Sequence, residues 1–578
     1  MSIIITRRHT NIQSHGLSQD LHPILKKIYQ HRGITASSEI QYELKNLLPF
    51  AELRNIDAAV ALLVTALQDR QHIMIIGDFD ADGATSTALA VRALRSMGAF
   101  KVSFLVPNRF DFGYGLTPEI VAVAAKQHPD LIITVDNGIS SVAGVAAAQQ
   151  QGIKVLITDH HLPGNELPAA AAIVDPNQHG DYFNSKHLAG VGVCFYVMLA
   201  LRSKLRELQW FSQQALTEPN MAELLDIVAL GTVADVVPLD ANNRTLVYQG
   251  LQRIRAGKCI AGIKALLEVS KRVPTRITAA DLGFALGPRL NAAGRLEDMR
   301  LGIKCLLTDD LEQARNYAQQ LELLNRQRRS IESEMRQQAL NVLQKLTFNS
   351  KKLPSGLCVF DQQWHQGVIG ILASRLKDQY HRPVIAFAGV GNGELKGSAR
   401  SIRHLHIRDV LDAIAKRHPQ LISKFGGHAM AAGLSIKLEH YDAFATAFNT
   451  EVEQHLQAED LQGEILSDGE LTDADLSLTL AEILERAGPW GQAFPEPLFD
   501  NEFEIIEQRI VAEKHLRLML KPSMGDKLLT AIKFNINLAA WPNHRCQQVH
   551  AVYKLAVNEF NGLKSVQLLI EHLSPLAS

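Results

Sequence analysis

The side chains best suited to chemistry in this sequence are three aspartates in the stretch GDFDADG: Asp78, Asp80 and Asp82 occupy alternate positions. Carboxylates this close repel one another unless a cation lies among them. An apolar, β-branched run over 72–76 predicts a buried strand before them, and a helical pattern over 85–97 follows. A strand, an acidic turn and a helix in this order predict a site at the carboxyl edge of an α/β sheet.

Two more predicted strands end in polar residues. Asp136 follows the strand 131–135, and the triplet Asp159, His160 and His161 follows the strand 154–158. Parallel strands bring their carboxyl ends to one crevice, where these side chains would converge. Taken singly, Asp136 or Asp159 could cap a helix or turn, and His161 could simply pack. Because such explanations would have to hold at every strand end, we favour one shared metal centre.

A lone acidic residue, Asp235, lies in GTVADVVPL after an apolar segment over 224–230 that is a helix or a strand. Its surroundings are small and apolar, so its charge needs a partner. A solvated loop aspartate is the alternative, but the other carboxylates and the DHH triplet favour a metal ligand.

The ligand chemistry narrows the choice of metal. Carboxylate oxygens with one or two imidazoles suit Mg²⁺ or Mn²⁺ better than zinc, which favours more histidine or cysteine. Two such ions about 3.5 to 4 Å apart can activate a water and stabilise both oxygens of a phosphoryl displacement.

The motifs DFDADG, VDNG, DHH and GTVADVVPL, in this order, resemble those of the DHH phosphoesterase superfamily. Four later motifs resemble the bacterial single-strand-specific 5′-to-3′ DNA exonucleases of that superfamily: NRFDFGYGL, GPRLNAAGRL, WHQGVIGILASRL and FGGHAMAAGL. The resemblance implies two-metal hydrolysis of single-stranded DNA to 5′-mononucleotides in recombination and repair, including mismatch repair. It also implies a passage between two catalytic domains that is too narrow for a duplex, and contacts with single-stranded DNA-binding protein and repair helicases.

The resemblance also assigns residues. The implied metal ligands are Asp78, Asp80, Asp82, Asp136, His160 and Asp235, with Asp136 as the candidate bridge between the ions. The implied catalytic residues are Asp80, Asp82, Asp136, Asp159, His160 and His161. Which residue holds which ion stays open, and Asp78 and His161 could be ligands or could support the ligands.

Candidate substrate-binding residues lie in three of the four later motifs and in the stretch KGSARS (396–401). The implied phosphate and DNA contacts are Arg109, Tyr114, Arg289, Asn291 and Arg295 in the first domain, and Ser398, Arg400, Gly426, Gly427 and His428 in the second. Each set has a plainer explanation. Arg109 could pair with Asp111, either later arginine could be an ordinary salt-bridge partner, and the Gly-Gly-His turn could be a helix N-terminus with a satisfied histidine.

We expect an α/β protein with five parts: an N-terminal segment (1–50), a DHH domain with a parallel sheet (51–308), a long linker helix (309–346), an α/β DHHA1-type accessory domain (347–455) and an OB-fold barrel (456–578). The helix is predicted because 309–346 is rich in Glu, Gln, Arg and Leu and contains neither Pro nor Gly. The barrel is predicted from alternating strands near the C-terminus. Its candidate phosphate-binding or base-stacking residues, which could equally be core, are Arg517, Lys521, Lys533, Phe534, Trp541 and Tyr553.

Composition limits the remaining options. The 578 residues are 46% hydrophobic with a formal net charge of −1, so a grip on nucleic acid must be a local groove. Five cysteines without C-x-x-C spacing argue against disulfides and structural zinc, and favour a reducing cytoplasm. The most apolar stretch, 188–201, is about 14 residues, too short to span a bilayer, and predicts a buried helix. We expect a monomer without a membrane anchor.

Two alternative functions stay open. A phosphoesterase of the same superfamily that acts on pyrophosphate, cyclic dinucleotides or very short RNA would use the same metals, but would not need the additional barrel. A DNA-binding scaffold without catalysis would lack ligands, whereas every candidate ligand is present here.

Overall fold

The computed structural model describes residues 3–9, 16–108, 115–350, 353–537, 541 and 546–576, with the backbone alone over 345–350. The chain divides into two compact units. The first comprises residues 7–322 and 466–578, and the second comprises residues 1–6 and 323–465. The domain boundaries predicted from the sequence stay a prediction.

A five-stranded parallel sheet lies at the centre of the first unit. After a first strand, β1 (Ile3–Arg7), its strands are β2 (His72–Ile76), β3 (Lys101–Leu105), β4 (Leu131–Val135), β5 (Lys154–Thr158) and β6 (Ala172–Val174). Their order is β3-β2-β4-β5-β6. Every residue of β2 and β4 is buried, as continuous apolar runs in a parallel sheet require. The three strands predicted before acidic turns are confirmed.

Helices lie before, between and after the strands of this sheet along the chain. They are α1 (Pro23–His31), α2 (Ile56–Gln68), α3 (Ala81–Ser96), α4 (Pro118–Ala125), α5 (Val142–Gln150), α6 (Gly190–Glu207), α7 (Trp210–Gln213), α8 (Leu225–Ala234), α9 (Ala241–Arg255), α10 (Ala261–Val269), α11 (Ala279–Asp281), α12 (Gly287–Leu296) and α13 (Arg300–Leu307). The ambiguous segment before Asp235 is therefore a helix, and so is the apolar stretch predicted to be one. Helix α3 packs on α6 and α8, which encloses the first acidic turn.

Short helical turns complete this list. The 3₁₀ turns are Ser37–Ile40, Leu44–Asn46, Phe50–Glu52, Met221–Leu224, Pro274–Arg276 and Leu438–His440, and a π-helical turn covers Leu282–Leu286. One long helix, α14 (Leu311–Ser350), occupies the stretch predicted to be helical, and the division between the units falls within it.

The second unit is built on a mixed sheet. Its strands are β7 (Leu357–Asp361), β8 (Val384–Gly389), β9 (Glu394–Arg400), β10 (Lys424–Gly427) and β11 (Ala431–Lys437), in the order β10-β11-β9-β8-β7. Its helices are α15 (Ile369–Tyr380), α16 (Ile407–Arg417) and α17 (Tyr441–His455). A further strand, β12 (Gly463–Ser467), pairs with β1. Helix α18 (Leu478–Ala487) follows β12 in the chain and belongs to the first unit.

The last strands of the first unit form a closed barrel. They are β13 (Phe499–Val511), β14 (His515–Pro522), β15 (Leu529–Lys533), β16 (Gln548–Phe560) and β17 (Leu563–Pro575), in the order β13-β14-β15-β17-β16. All pairs are antiparallel except β15 with β17. The predicted barrel is confirmed. Among the described residues, no helix is long and apolar enough to cross a membrane.

Candidate metal centre

The acidic turn between β2 and α3 is fixed by local hydrogen bonds. Asp80 caps the helix, because its Oδ1 accepts a hydrogen bond from the Gly83 amide at 3.0 Å. Gly83 is required there, since a Cβ would lie 2.6 Å from the backbone N and O of Asp78. Asp78 and Asp82 are buried. The helix therefore begins at Ala81, and all three carboxylates lie around its first turn.

Asp136 follows β4 in a strained backbone conformation. Its φ of 63° lies in the left-handed region, which is uncommon for a residue other than glycine. Its amide donates to the Thr158 carbonyl at 3.0 Å, which ties the end of β4 to the end of β5. Asn137 donates to the carbonyls of Ile76 and Val135, so the turn is also tied to β2. The side chain of Asp136 is thereby held at the carboxyl edge of the sheet.

Asp159 orients His161. The Asp159 carboxylate accepts from the Nδ1 of His161 at 2.7 Å, and from the amides of His160, His161 and Ile139. Burial alone would raise the pKa of Asp159, but these contacts with His161 lower it. Burial alone would likewise lower the pKa of His161, but the hydrogen bond to Asp159 outweighs it and raises the pKa to about 9. Asp159, which the sequence predicts to be catalytic, thus holds the imidazole of His161 in place.

The imidazole of His160 lies close to the carboxylates of both Asp136 and Asp235. The Nε2 of His160 lies 3.1 Å from Asp136 Oδ1 and 3.6 Å from Asp235 Oδ2. Asp235 comes directly after α8, and its amide donates to the Gly231 carbonyl at 2.9 Å. Burial lowers the pKa of His160, which favours the neutral imidazole that a metal ion binds.

Among the described residues, three groups of side chains could each hold a cation. Within each group the candidate ligand atoms all lie within 4.8 Å of one another. The groups are Asp78, Asp80 and Asp136; Asp82, His160 and Asp235; and Asp136, His160 and His161. The structure thus brings together all six residues proposed as metal ligands, and His161 with them. Asp136 belongs to two groups, which is the position that a bridging carboxylate needs.

The electrostatics of this cluster fit divalent cations. Burial raises the pKa values of Asp82 and Asp136 well above the usual range, and repulsion from neighbouring carboxylates adds to it. Burial also raises the pKa of Asp235. So many buried carboxylates would be costly without a cation. Carboxylate oxygens with imidazole nitrogen form a donor set that suits Mg²⁺ or Mn²⁺.

Two supports of the acidic turn had no recognisable signal in the sequence. The amides of Gly190 and Val191, at the start of α6, donate to the two oxygens of Asp82. Asn291 accepts from the Ala81 amide through its Oδ1 at 2.9 Å. These contacts span 108 and 210 residues, so short-range patterns do not reveal them.

The motif GPRLNAAGRL forms the helix α12. Its small residues serve helix packing: a Cβ on Gly294 would lie 1.7 Å from the Phe79 carbonyl oxygen. Arg289 is buried and pairs with Glu322 at 2.7 Å, and Arg295 lies in the last turn. In this structure Asn291 therefore supports the acidic turn. The substrate-binding roles of Arg289, Asn291 and Arg295 stay predictions. Arg109 and Tyr114 lie outside the described residues.

The second unit carries a sheet face made of small and basic residues. Ser398 lies opposite Gly433, and Gly433 lies opposite Gly426. A Cβ on either glycine would meet nothing within 4 Å. The basic residues of this face are Lys396, Arg400 and Lys424, and His428 follows β10. We call this surface the open face.

Arg400 on the open face is held by neutral groups. Its Nη1 donates to Ser398 Oγ at 3.1 Å and to the Ala399 carbonyl at 2.8 Å, and burial lowers the pKa of its guanidinium. The alternative that the Gly-Gly-His turn begins a helix is wrong. Gly426 and Gly427 end β10, and the amide of His428 donates to the Ala431 carbonyl across a hairpin.

In the barrel, one candidate for base stacking is wrong. Tyr553 is fully buried between Phe499 and Phe503, and its hydroxyl donates to Asn501. Phe534 and Arg517 are exposed. Lys521 pairs with Asp526, Lys533 donates to the Glu571 carbonyl, and Trp541 donates to Gln508.

Comparison with known proteins agrees with this architecture. Three family models match: the N-terminal domain of the DHH family over residues 72–232, the DHHA1 domain over 353–454 and the RecJ OB domain over 467–572. Fold, acidic centre and matched domains define a DHH-family protein with a DHHA1 domain and an OB barrel. The resemblance drawn from the motifs is thereby confirmed.

Full-length relatives narrow the family further. The single-stranded-DNA-specific exonuclease RecJ of Dickeya dadantii is 55% identical to this chain over 576 residues, and the match covers 100% of each chain. RecJ of Escherichia coli K12 is 51% identical over 570 residues, 99% of each chain. The chain belongs to the RecJ family. A crystal structure of Thermus thermophilus RecJ in complex with Mn²⁺ superposes with a TM-score of 0.79 at 29% identity, covering 97% of this chain and 77% of that one. The crystal structure of the same protein in complex with Mg²⁺ superposes with a TM-score of 0.73 at 28% sequence identity, and the match covers 96% of this chain and 76% of that one.

Proposed function

We propose that the protein is a metal-dependent exonuclease that degrades single-stranded DNA from the 5′ end to 5′-mononucleotides. The observation that carries the proposal is the convergence of Asp78, Asp80, Asp136 and Asp235 with His160 at the edge of one sheet. Membership of the RecJ family supports the substrate, because its curated members are named single-stranded-DNA-specific exonucleases.

The proposed cofactors are two Mn²⁺ or Mg²⁺ ions. Asp78, Asp80, Asp82, Asp136, His160 and Asp235 would hold them, with Asp136 shared. When bound, such ions supply an activated water and neutralise the charge that develops on the phosphoryl oxygens.

His161 is the proposed proton donor in the site. Asp159 holds its Nδ1, so the imidazole is oriented, and this hydrogen bond favours the protonated imidazole. A protonated imidazole can donate a hydrogen bond to a phosphate oxygen or a proton to the leaving 3′ oxygen. His160, whose pKa is lowered, would remain neutral and bind metal.

The open face of the second unit is the proposed contact for DNA phosphates. Gly426 and Gly433 leave room for a backbone to approach, and Ser398 and Arg400 offer a hydroxyl and a guanidinium. Within the part of the chain that the structure describes, the hydrogen-bond partners of Arg400 are neutral, so its charge is available to an anion. We propose Gly427 and His428 as the turn that borders this contact.

We propose that the barrel provides further contacts to the single-stranded DNA. Exposed Phe534 can stack on a base, and exposed Arg517 can contact a phosphate. Arg109, Tyr114, Arg289 and Arg295 stay proposed phosphate contacts.

The setting of the enzyme is also proposed. The five free cysteines suit a reducing cytoplasm. The proposed processes are DNA recombination and repair, and the proposed partners are single-stranded DNA-binding protein and repair helicases. The proposed oligomeric state is a monomer.

The test is a directional nuclease assay. Purified protein with Mn²⁺ is incubated with single-stranded DNA labelled at the 5′ or the 3′ end, beside blunt duplex, RNA and pyrophosphate. We expect immediate release of labelled mononucleotide from the 5′-labelled strand and sparing of the duplex. Turnover of pyrophosphate or short RNA without DNA cleavage would instead establish a small-substrate phosphoesterase.

A further inference from the structure

We propose that the first two backbone amides of helix α6, those of Gly190 and Val191, are positioning groups that fix Asp82 and set how tightly the centre holds its metal ions. The inference rests on the proposed function in one respect, that Asp82 is a metal ligand.

The contact is a two-point grip on one carboxylate. Gly190 N donates to Asp82 Oδ2 at 2.6 Å, and Val191 N donates to Asp82 Oδ1 at 2.9 Å. Each carboxylate oxygen has two lone pairs. One amide on each oxygen therefore fixes the plane of the carboxylate. Oδ1 also accepts from Ser86 Oγ at 3.4 Å, whereas Oδ2 keeps a lone pair for a cation.

The electrostatics of the helix end favour the ionised carboxylate. Asp82 has no exposed surface and lies among other carboxylates. Removing such a charge from water is costly unless donors replace the water. The first amides of a helix point out of its N-terminus and carry its positive dipole end. The start of α6 thus replaces solvent for Asp82.

The same helix end also sets the spacing between two candidate ligands. A Cβ on Gly190 would lie 2.6 Å from the Cβ of Asp136 and 2.7 Å from its Oδ1. Asp82 and Asp136 follow different strands, and Gly190 contacts both, because its amide donates to Asp82 and a Cβ there would meet Asp136. Their distance therefore depends on the helix and not only on the sheet.

A matched pair of variants isolates the amide. Val191→Pro removes one N–H at a first-turn position where proline is tolerated, whereas Val191→Ala keeps the N–H and also loses the valine side chain. The readout is Mn²⁺ affinity by calorimetry on the DNA-free protein, with thermal unfolding measured in EDTA. We expect the proline variant to bind Mn²⁺ about tenfold or more weakly than the alanine variant, as loss of a charge-assisted hydrogen bond implies.

Equal Mn²⁺ affinity of the two variants would overturn the proposal, and so would a lower melting temperature without a change in affinity. If the proline variant does not fold, Gly190→Ala takes its place, because a Cβ 2.6 Å from the Asp136 Cβ forces the start of α6, which carries both amides, to shift away from the centre. A folded Gly190→Ala protein with wild-type Mn²⁺ affinity would also refute the positioning role. A measurement on the wild-type protein distinguishes failure of the positioning role from failure of the proposed metal centre. If the wild-type protein does not bind Mn²⁺, the metal centre itself is contradicted.

Discussion

Arg32 and Asp468 form a bidentate ion pair across 436 residues of sequence. Nη1 of Arg32 donates to Oδ1 of Asp468 at 2.8 Å, and Nη2 donates to Oδ2 at 3.0 Å. Both side chains are only 1% exposed, and Nδ1 of His31 lies 3.0 Å from the same carboxylate. The pair joins α1 to the segment that precedes the barrel, so these two segments share one buried network.

Asp468→Asn should therefore lower the stability of the first unit. It leaves the Arg32 guanidinium buried without its counter-ion, and breaking a buried pair costs about 3 to 5 kcal/mol. Thermal unfolding measures the loss. Glu207→Gln is the control, because its exposed pair with Lys204 contributes about 1 kcal/mol or less. A melting temperature as high as that of the control would contradict the role of the pair.

The same network predicts the direction of acid destabilisation. Burial alone would raise the pKa of Asp468, but Arg32 and His31 lower it below its usual range. Its contribution is fully present above the unfolded-state pKa of about 4 and is lost as the pH falls through the lower folded-state pKa. The gap in melting temperature between wild type and Asp468→Asn should narrow as the pH falls below about 4. A gap that widens on acidification would contradict this sign.

Removing the proposed bridging ligand should stop the chemistry. Asp136→Asn keeps the shape of the side chain but removes its charge, so hydrolysis of single-stranded DNA should fall by at least about a hundredfold, while DNA binding without metal is retained. Turnover and gel-shift assays measure the two effects. Turnover at the wild-type rate would remove Asp136 from the mechanism.

Metal binding should release protons. Burial first and neighbouring carboxylates second raise the pKa values of Asp82 and Asp136, so a divalent cation competes with protons for these carboxylates. Mn²⁺ affinity should then rise with pH. Calorimetry at neutral pH in buffers of different ionisation enthalpy reports the released protons, and an enthalpy that is independent of buffer would contradict the prediction.

Asn291 should affect metal binding through the acidic turn. Asn291→Ala leaves the Ala81 amide without its acceptor, and such a loss at a supporting contact typically weakens metal affinity by about tenfold or more. Asn220→Ala is the matched control, because its Oδ1 accepts from the Ala222 amide at a surface turn. Equal Mn²⁺ affinity in the two variants would show that Asn291 does not support the centre.

Arg400 should contribute to DNA binding on the open face. Arg400→Met should weaken binding of single-stranded oligonucleotides and reduce the slope of log affinity against log salt by about 0.7, because one phosphate contact is lost. Lys416→Ala is the control, since Lys416 pairs with Asp412 on α16, which packs on the other face of the sheet. An unchanged salt dependence would exclude a phosphate contact.

The sequence by itself determined the strands that end at Asp78, Asp136 and Asp159, the long helix α14 and the barrel. Each of these follows from periodicity and punctuation within about 15 residues of chain. Convergence of the acidic side chains also followed, because parallel strands place their carboxyl ends on one edge.

Only the tertiary structure decided how these side chains are held. Sequence patterns did not reveal that α6 grips Asp82, that Asn291 supports Ala81, or that Tyr553 lies in the barrel core. The Gly-Gly-His turn became a hairpin because its neighbours pair across the sheet. The physical reason is that such contacts join segments distant in sequence, so their hydrogen bonds and packing exist only once the chain has folded.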